Sequence, residues 1–402
     1  MNKTSTILLF ILLSAGSAFA QSVKFSGYIQ SQYQYGEKDA SLKVGTGNEN
    51  SEESFHRIGI RRGRFKLTAT DGSGLASGIF QLDVTEKGVG FKDAYLNVKD
   101  PWVNTLQLRA GIFDRPFGNE ISYSSSRRES PERSTLFQTL FPDERDLGAM
   151  LILQPAKGSA WNVLKLEAGL FAGNGIKQET DSRKDFIGHL SLAKTVGNAF
   201  SYGLGVSYYN GGVFQGTQNV YSMDGAAFAI DSAKTNKGKF AKREYVGFDA
   251  QLTIASALGF TQLRAEYLTG QQPGLSSSSK SPNASALPTG DTYIRNFSGA
   301  YAIFIQDLGA LPFSAVLKYD FYDPNTKVSG DEIGSSVSAG SKTSKADLTS
   351  STFGFGLLWK ISNATRLQAF YEVIANETST HVSGYAEDRK DNVFTLRLQY
   401  KF

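Results

Sequence analysis

The sequence predicts an all-β fold, a 16-stranded antiparallel transmembrane β-barrel with long outer loops and short periplasmic turns. Two patterns predict it: apolar and polar residues alternate along the chain, and the connections between these runs are alternately short and long. The composition agrees, because glycine (41 residues) and aromatic residues (12%) are abundant and proline (10 residues) is scarce. Many short strands joined by turns produce such a composition.

The alternation is clearest in the last run, VFTLRLQYKF, which ends at Phe402. Comparable runs occur at 22–35, 80–84, 94–98, 106–112, 164–170, 190–192, 246–252, 263–267 and 367–373. Each is about 9–12 residues long, which is the length of a tilted strand that crosses a bilayer. A soluble β-sandwich also alternates, with apolar residues inside, so alternation alone leaves both classes open.

The connections favour the membrane barrel. Tight links such as 71–76 (DGSGLA) and 361–364 (ISNA) alternate with long polar links such as 36–54 and 270–292. Outer-membrane barrels have short periplasmic turns, long outer loops and an even number of strands. A soluble sandwich has no reason to keep loop length in phase with strand number. Link 85–90 is unusually short for the outer side.

The first twenty residues predict a secretory signal peptide. Lys3 precedes the apolar run ILLFILL, and Ala18-Phe19-Ala20 forms an A-x-A cleavage site. An uncleaved anchor is the alternative, although the apolar run is shorter than the ~20 residues of a membrane-spanning helix. Residues 21–402 are then predicted to form a single barrel domain. Since the chain contains no cysteine, it has no disulfide framework.

Residues 56–67, HRIGIRRGRFKL, combine strand alternation with unusual charge. An arginine or lysine on the lipid face costs about 2–4 kcal/mol at mid-bilayer. The apolar phase slips between Ile60 and Phe65, as one inserted residue would cause, and we expect a β-bulge near Arg61–Arg62. The bulge would place Gly63 on the lipid face. It would turn the basic residues of this strand to the lumen, namely Arg57, Arg61, Arg62, Arg64 and Lys66.

Two roles stay open for these charges. They could form an internal salt-bridge ladder with Asp83, Asp93 or loop carboxylates. They could also form a track for anions, because rings of arginine or lysine select anions and arginine binds phosphate bidentately.

The link 114–145 is the longest outer loop after a clear strand. It carries Arg127, Arg128 and Arg133 among carboxylates, together with apolar side chains that must be buried. Folding back into the barrel would bury them and narrow the pore; a surface loop packed on its neighbours is the alternative. Ser130 followed by Pro131 predicts a helix start, with Ser130 as the N-cap.

Other functional classes find little support. The chain has three scattered histidines without metal-ligand spacing, and it has no nucleotide or hydrolase motif. No cofactor or catalytic residue is therefore predicted, and the protein is expected not to be an enzyme. A nucleic-acid partner is disfavoured by the export signal and the exposed apolar face.

Several segments resemble the phosphate-selective porin O and P family of bacterial outer membranes. They are RIGIRRGRFKL, LDVTEKGVGFKDAYLNVK, LRAGIFDRPFG, SPERSTLF and FPDERDLGAML, with VLKYDFYDPNT further on. The terminal aromatic also looks like the assembly signal of such barrels. The resemblance covers most of residues 22–154 and implies a 16-stranded, commonly trimeric porin. It implies anion or phosphate passage past Arg57, Arg61, Arg62, Arg64, Arg109 and Arg133.

The sequence thus predicts an outer-membrane porin for passive diffusion of small solutes, with outer-membrane lipid, small anions and two further copies of itself as partners. The alternative is a plugged barrel that serves as a surface-binding or structural protein. The expected pore-lining and anion-binding residues are Arg57, Arg61, Arg62, Arg64, Lys66, Arg109, Arg127, Arg128 and Arg133.

Overall fold

The computed structural model describes residues 20–336, 338 and 340–402. The predicted signal peptide lies outside these residues except for Ala20, so its cleavage stays a prediction. None of the helices in the described part is long and apolar enough to cross a membrane.

In the described residues, eighteen strands form one sheet. The first nine are β1 Ala20–Gly36, β2 Phe55–Asp71, β3 Ala76–Thr85, β4 Gly88–Lys99, β5 Leu106–Asp114, β6 Arg145–Leu153, β7 Leu164–Phe171, β8 Asp185–Val196 and β9 Phe200–Phe214. The others are β10 Val220–Asp224, β11 Ala227–Asp231, β12 Phe240–Ser256, β13 Gly259–Gly274, β14 Thr292–Asp307, β15 Phe313–Asp323, β16 Ser350–Lys360, β17 Thr365–Asn376 and β18 Val393–Lys401. Helix α1 spans Thr135–Leu140, and single 3₁₀ turns occur at Ala160–Val163, Lys234–Asn236, Gly330–Glu332 and Lys345–Asp347.

Sixteen of these strands, all except β10 and β11, close into a barrel in which each pairs antiparallel with the next. Strand β9 pairs with β12, and β18 pairs with β1 to close the ring. At this closure Gly27 and Phe402 exchange two backbone hydrogen bonds of 3.0 Å. The predicted fold class and strand number are confirmed.

Strands β10 and β11 form a hairpin above the barrel that the sequence prediction missed. The hairpin lies in the long link 210–242 and pairs only with itself and with three residues of β14. Its turn contains Asp224-Gly225, and Asp-Gly between alternating residues is a hairpin signal. The length and polarity of the link concealed that signal.

Several strands are longer than predicted. Strands β1, β2 and β12 have 17 residues each, because backbone pairing continues past the alternating runs. Alternation within the bilayer is as predicted: Phe248 is 51% exposed toward lipid, whereas Asp249 is buried in the interior.

The predicted β-bulge lies at Arg61. Gln30 pairs with Arg62 and the next residue, Ser31, pairs with Ile60, so Arg61 is the extra residue in β2. Arg62 and Arg64 are both buried inside the barrel, and Gly63 between them pairs with the outward-facing Ile29. The bulge hypothesis is confirmed.

The barrel wall is short at its outer end where β3 and β4 lie. Strands β3 and β4 are joined by two residues, as the short link 85–90 predicted, and β3 pairs with β2 only over Arg64–Thr70. The outer half of β2 therefore has a backbone edge on which no neighbouring strand of the described chain pairs.

Candidate functional site

The link between β5 and β6, residues 115–144, folds into the barrel. Its aromatic residues Phe117, Phe137 and Phe141 are buried against inward-facing wall residues. Ring centroids are 5.7 Å apart for Phe141 and Tyr245, and 6.2 Å apart for Phe137 and Tyr301. The loop thereby fills one side of the lumen with an apolar cluster and leaves the opposite side, near β1 to β4, polar.

Wall carboxylates hold the first part of this loop by its backbone. Glu266 of β13 accepts hydrogen bonds from the Asn119 amide (3.0 Å) and from the Tyr301 hydroxyl (2.6 Å). Gly118 has a φ of 59°, and a methyl group there would collide with the Glu266 carboxylate. The loop can approach the wall this closely because glycine has no side chain.

The helix in the loop begins later than predicted. Its N-cap is Ser134, not Ser130, and it covers only Thr135–Leu140. The Glu120 carboxylate accepts from the Ser134 amide (3.2 Å) and hydroxyl (2.6 Å), and Asp320 of β15 accepts from the Thr135 amide (3.1 Å). The segment before Ser134 forms turns and bends, and its side chains bind the barrel wall.

Glu132, in that segment, binds three arginines at once. Arg61 donates to both of its carboxylate oxygens (2.7 and 2.8 Å), Arg62 donates at 3.1 Å, and Arg397 of β18 donates at 2.8 Å. The Arg61 contact is a bidentate pair, which is a strong geometry. Since three guanidinium groups share one carboxylate, this cluster carries a net charge of about +2.

Glu144, at the end of the loop, is the centre of a second cluster. It forms ion pairs with Lys92 (3.2 Å), Arg133 and Arg145. Arg145 also binds Asp93 at 2.9 Å. Asp114 pairs with Arg145 as well (3.0 Å), so three carboxylates face the three basic side chains at this level.

A cavity of about 280 Å³ lies between the two clusters, and Arg128 contributes to its wall. The Arg128 side chain is buried, yet none of its three guanidinium nitrogens has a hydrogen-bond partner in the described residues. The cavity is lined by the basic residues Arg61, Arg62, Arg64, Lys92, Arg128, Arg133 and Lys280 and by the acidic residues Asp83, Glu132, Asp143 and Glu144. Basic side chains exceed acidic ones by seven to four.

Five of the nine predicted site residues meet at this cavity. They are Arg61, Arg62, Arg64, Arg128 and Arg133.

The other four lie elsewhere. Arg57 pairs with Glu49 at the outer rim, and Lys66 lies lower on the lumen side of β2. Arg109 of β5 donates to Asn97 (2.8 Å), and Arg127 faces a different cavity, toward the periplasm.

Sequence reasoning missed Lys92, Arg397 and Lys318. Lys318 donates to the Glu132 carbonyl (3.3 Å), and Arg397 donates to the Pro131 carbonyl (2.6 Å). Both lie at inward positions of alternating strands, so alternation could have placed them in the lumen. Their contacts with the loop depend on how the loop folds, which alternation does not predict.

Comparison with known families decides the classification. The family model for phosphate-selective porin O and P matches residues 69–402, which is most of the chain.

The chain belongs to the phosphate-selective porin O and P family.

Solved outer-membrane proteins share the fold of this porin. It is similar to OprB of Pseudomonas putida at 10% identity and a TM-score of 0.58, over 98% of this chain and 96% of that one. It is similar to the outer membrane channel DcaP of Acinetobacter baumannii at 12% identity and a TM-score of 0.56, over 96% and 98%. It is also similar to OmpF of Salmonella typhi at 9% identity and a TM-score of 0.56, over 94% and 97%.

No curated protein matches the sequence of this porin significantly. The family and the shared fold place the chain in the bacterial outer membrane and support a channel rather than an enzyme.

Proposed function

We propose that this porin forms a water-filled channel for passive diffusion of small hydrophilic solutes and that it favours anions such as phosphate. The observation that carries the proposal is the buried Arg128 guanidinium, which has no partner in the described chain and faces a cavity with a mainly basic lining.

A buried charge without a partner is costly, by several kcal/mol even after relaxation. A small anion in the cavity would supply the missing partner and could also contact Arg62 and Arg133. Guanidinium groups bind phosphate in a bidentate geometry, and rings of arginine or lysine select anions. The cluster around Glu132 holds its three arginines in place and keeps a surplus of positive charge, whereas the carboxylates around Arg145 balance the basic side chains of the Glu144 cluster.

In this proposal, residues 114–145 constrict the pore. The apolar cluster around Phe137 and Phe141 closes one side of the lumen, so solutes pass on the side of β1 to β4. A passing ion then meets the basic wall at short distance, where its electrostatic attraction is largest.

The test is the reversal potential of single channels in a planar bilayer with a KCl gradient. The native protein is expected to favour chloride, and Arg128→Gln is expected to reduce the preference roughly fivefold, as the loss of ~1 kcal/mol of attraction would. Lys194→Gln, which removes an exposed charge on the outer face of β8, should leave it unchanged. Cation preference in the native protein would contradict the proposal, and absence of conductance would favour a plugged barrel.

We also propose a homotrimer. On the outer half of β2, no strand of the described chain pairs with one edge, although the Ile60 and Gly63 amides donate to side-chain carboxylates there. Exposed apolar residues such as Val89 and Phe91 lie beside this edge. Open sheet edges are not stable in lipid, and a second copy would cover this one. A similar protein, OmpT of Vibrio cholerae, has a structure in a trimer form; its TM-score is 0.54 at 12% identity, over 95% of this chain and 99% of that one.

Mass photometry of the detergent-solubilised protein tests this assembly. The native chain should have the mass of three copies. Phe91→Gln should yield monomers, whereas Leu190→Gln on β8 should not. A monomeric native protein would contradict the trimer without bearing on the channel.

A further inference from the structure

A second cavity, of about 420 Å³, lies beneath the folded loop. Its walls come from the periplasmic ends of β13 to β18 and from the loop residues Tyr123, Ser126, Arg127 and Glu129. No lining residue is shared with the cavity that contains Arg128. The neighbours Arg127 and Arg128 therefore serve different cavities, one on the periplasmic side of the loop and one at the constriction.

The charges of the periplasmic cavity are unbalanced. Its two carboxylates already have partners, since Asp307 pairs with Lys360 (2.7 Å) and Glu129 pairs with Arg264. Arg127 and Lys401, by contrast, form no ion pair with any described residue.

Arg366 adds a third positive charge to this cavity. It is directed at the loop backbone, and it donates to the carbonyls of Arg127 (3.1 Å) and Arg128 (3.0 Å) rather than to a carboxylate. Three cationic side chains, those of Arg127, Arg366 and Lys401, thus lack an acidic partner in the described chain.

The rest of the lining combines polar side chains, such as Gln262 and Gln399, with an apolar part. Ile305 and Leu358 are inward-facing and buried, and the Tyr123 ring and the Ala364 methyl group complete this part of the wall. A fully hydrated inorganic ion would gain nothing from the apolar part of this surface. An anion with a hydrophobic body would gain both the charge attraction and the burial of its apolar area.

We propose that the periplasmic cavity is a binding site for small organic carboxylates with an apolar or aromatic body. The carboxylate would lie near Arg127 and Lys401, and the body would lie on Ile305 and Leu358. This proposal rests on the proposed function in one respect, that solutes pass through the lumen. It adds a class of solute that is distinct from phosphate.

The test is binding of benzoate to the full-length protein in detergent, measured by isothermal titration calorimetry, with benzamide as the uncharged analogue. Benzoate is expected to bind and benzamide to bind at least tenfold more weakly. The double variant Arg127→Gln/Lys401→Gln should weaken benzoate binding about tenfold, because it removes two nearby charges. Arg127 and Lys401 are exposed, so these substitutions leave the packing of the loop intact.

Two control variants locate the site. Lys194→Gln, on the outer face, should leave benzoate affinity unchanged, and Arg128→Gln, in the constriction cavity, should weaken benzoate binding much less than the double variant does. The proposal is overturned if native protein does not bind benzoate, if benzamide binds equally well, or if the double variant binds as the native protein does. It is also overturned if Arg128→Gln weakens benzoate binding as much as the double variant does.

This outcome is independent of the proposed anion preference. If the native protein shows no chloride preference in the bilayer measurement but binds benzoate, the proposed anion preference is rejected and this site is kept. The reverse result would reject this site alone.

Discussion

At the scale of single residues, the positive charges of the lumen differ in how far they are neutralised. Arg61, Arg62 and Arg397 share one carboxylate, whereas Arg128 has none in the described chain. The salt-bridge ladder considered for the arginine strand is present, and the proposed anion track would combine it with the unpaired Arg128 of the loop. The ion pairs position the arginines, and the surplus of positive charge is what a passing anion would encounter.

Glu132→Gln is predicted to strengthen anion preference. It removes the only negative charge among three guanidinium groups in that cluster of the described chain, which adds one net positive charge to the lumen. The preference for chloride should rise roughly fivefold, as ~1 kcal/mol of extra attraction implies. The free energy of unfolding should fall by about 3–5 kcal/mol, because buried charges lose their partner.

Reversal potentials and urea unfolding in liposomes would measure these two effects. Glu49→Gln is the matched control, since Glu49 pairs with Arg57 at the exposed outer rim. A decrease in chloride preference in Glu132→Gln would show that the lumenal arginines do not act on the permeating ion.

Asp100 is predicted to hold the periplasmic turn after β4 over a wide pH range. Backbone amides donate to its carboxylate, foremost that of Val103 (2.7 Å), then those of Leu106, Thr105 and Trp102, and they lower its pKa to about 2. Because the pKa in the folded protein is lower than the ordinary value near 4, the contribution is complete above pH 4 and is lost only as pH falls toward 2.

Hydrogen exchange of the Val103 and Leu106 amides tests this turn. Both amides should stay protected from pH 8 to pH 4. Asp100→Ala should remove the protection, and Asp100→Asn, which keeps one acceptor oxygen, should remove part of it. Equal protection in Asp100→Ala would show that the strands alone hold the turn.

At the scale of elements, the bulge in β2 determines where the charges of this strand point. Without the extra residue at Arg61, the apolar residues could not face lipid on both sides of the bulge while the charged residues face the lumen. Alternation revealed this element because a strand has a period of two, so one inserted residue is visible as a change of phase.

Helix α1 was placed wrongly because its start is determined by contacts with Glu120 and Asp320 that no local pattern encodes.

Deletion of Arg61 is predicted to be tolerated. It removes the bulged residue and leaves Ile60 outward and Arg62 inward on a continuous ladder. Deletion of Arg64 is the matched control and should prevent folding, because it reverses the outer part of β2 and places Arg62 in lipid at a cost of about 2–4 kcal/mol.

Heat-modifiable migration on SDS gels, which distinguishes folded from unfolded barrels, would measure the outcome. Folded protein from the Arg64 deletion, or unfolded protein from the Arg61 deletion, would contradict the assigned register.

At the scale of the whole molecule, the barrel and its additions have separate roles. The sixteen barrel strands close without help from the β10–β11 hairpin, since β9 and β12 pair directly from Phe214 and Phe240 downward. The loop of residues 115–144, by contrast, occupies the lumen and contacts strands on several sides.

Replacement of residues 217–237 by an Asn-Gly turn is predicted to leave the barrel folded and its conductance close to native. A two-residue turn can connect the antiparallel pair at this position. Replacement of residues 117–141 by a short Gly-Ser linker should instead raise single-channel conductance severalfold and weaken anion preference, because it removes the constriction with Arg128. Equal conductance in the two variants would show that the loop does not limit the pore.

By itself, the sequence determined the barrel class, the strand number, the bulge and the lumenal side of the arginine strand. These features are local or periodic: alternation, loop-length parity and a phase slip are all readable along the chain. Only the tertiary structure decided which charges are neutralised and which are free. Glu132 meets Arg397 across 265 residues, and Arg128 lacks a partner among the described residues because the folded loop brings it to a place without one. Such pairings depend on how a long loop packs inside a closed barrel, and no periodicity of the sequence records them.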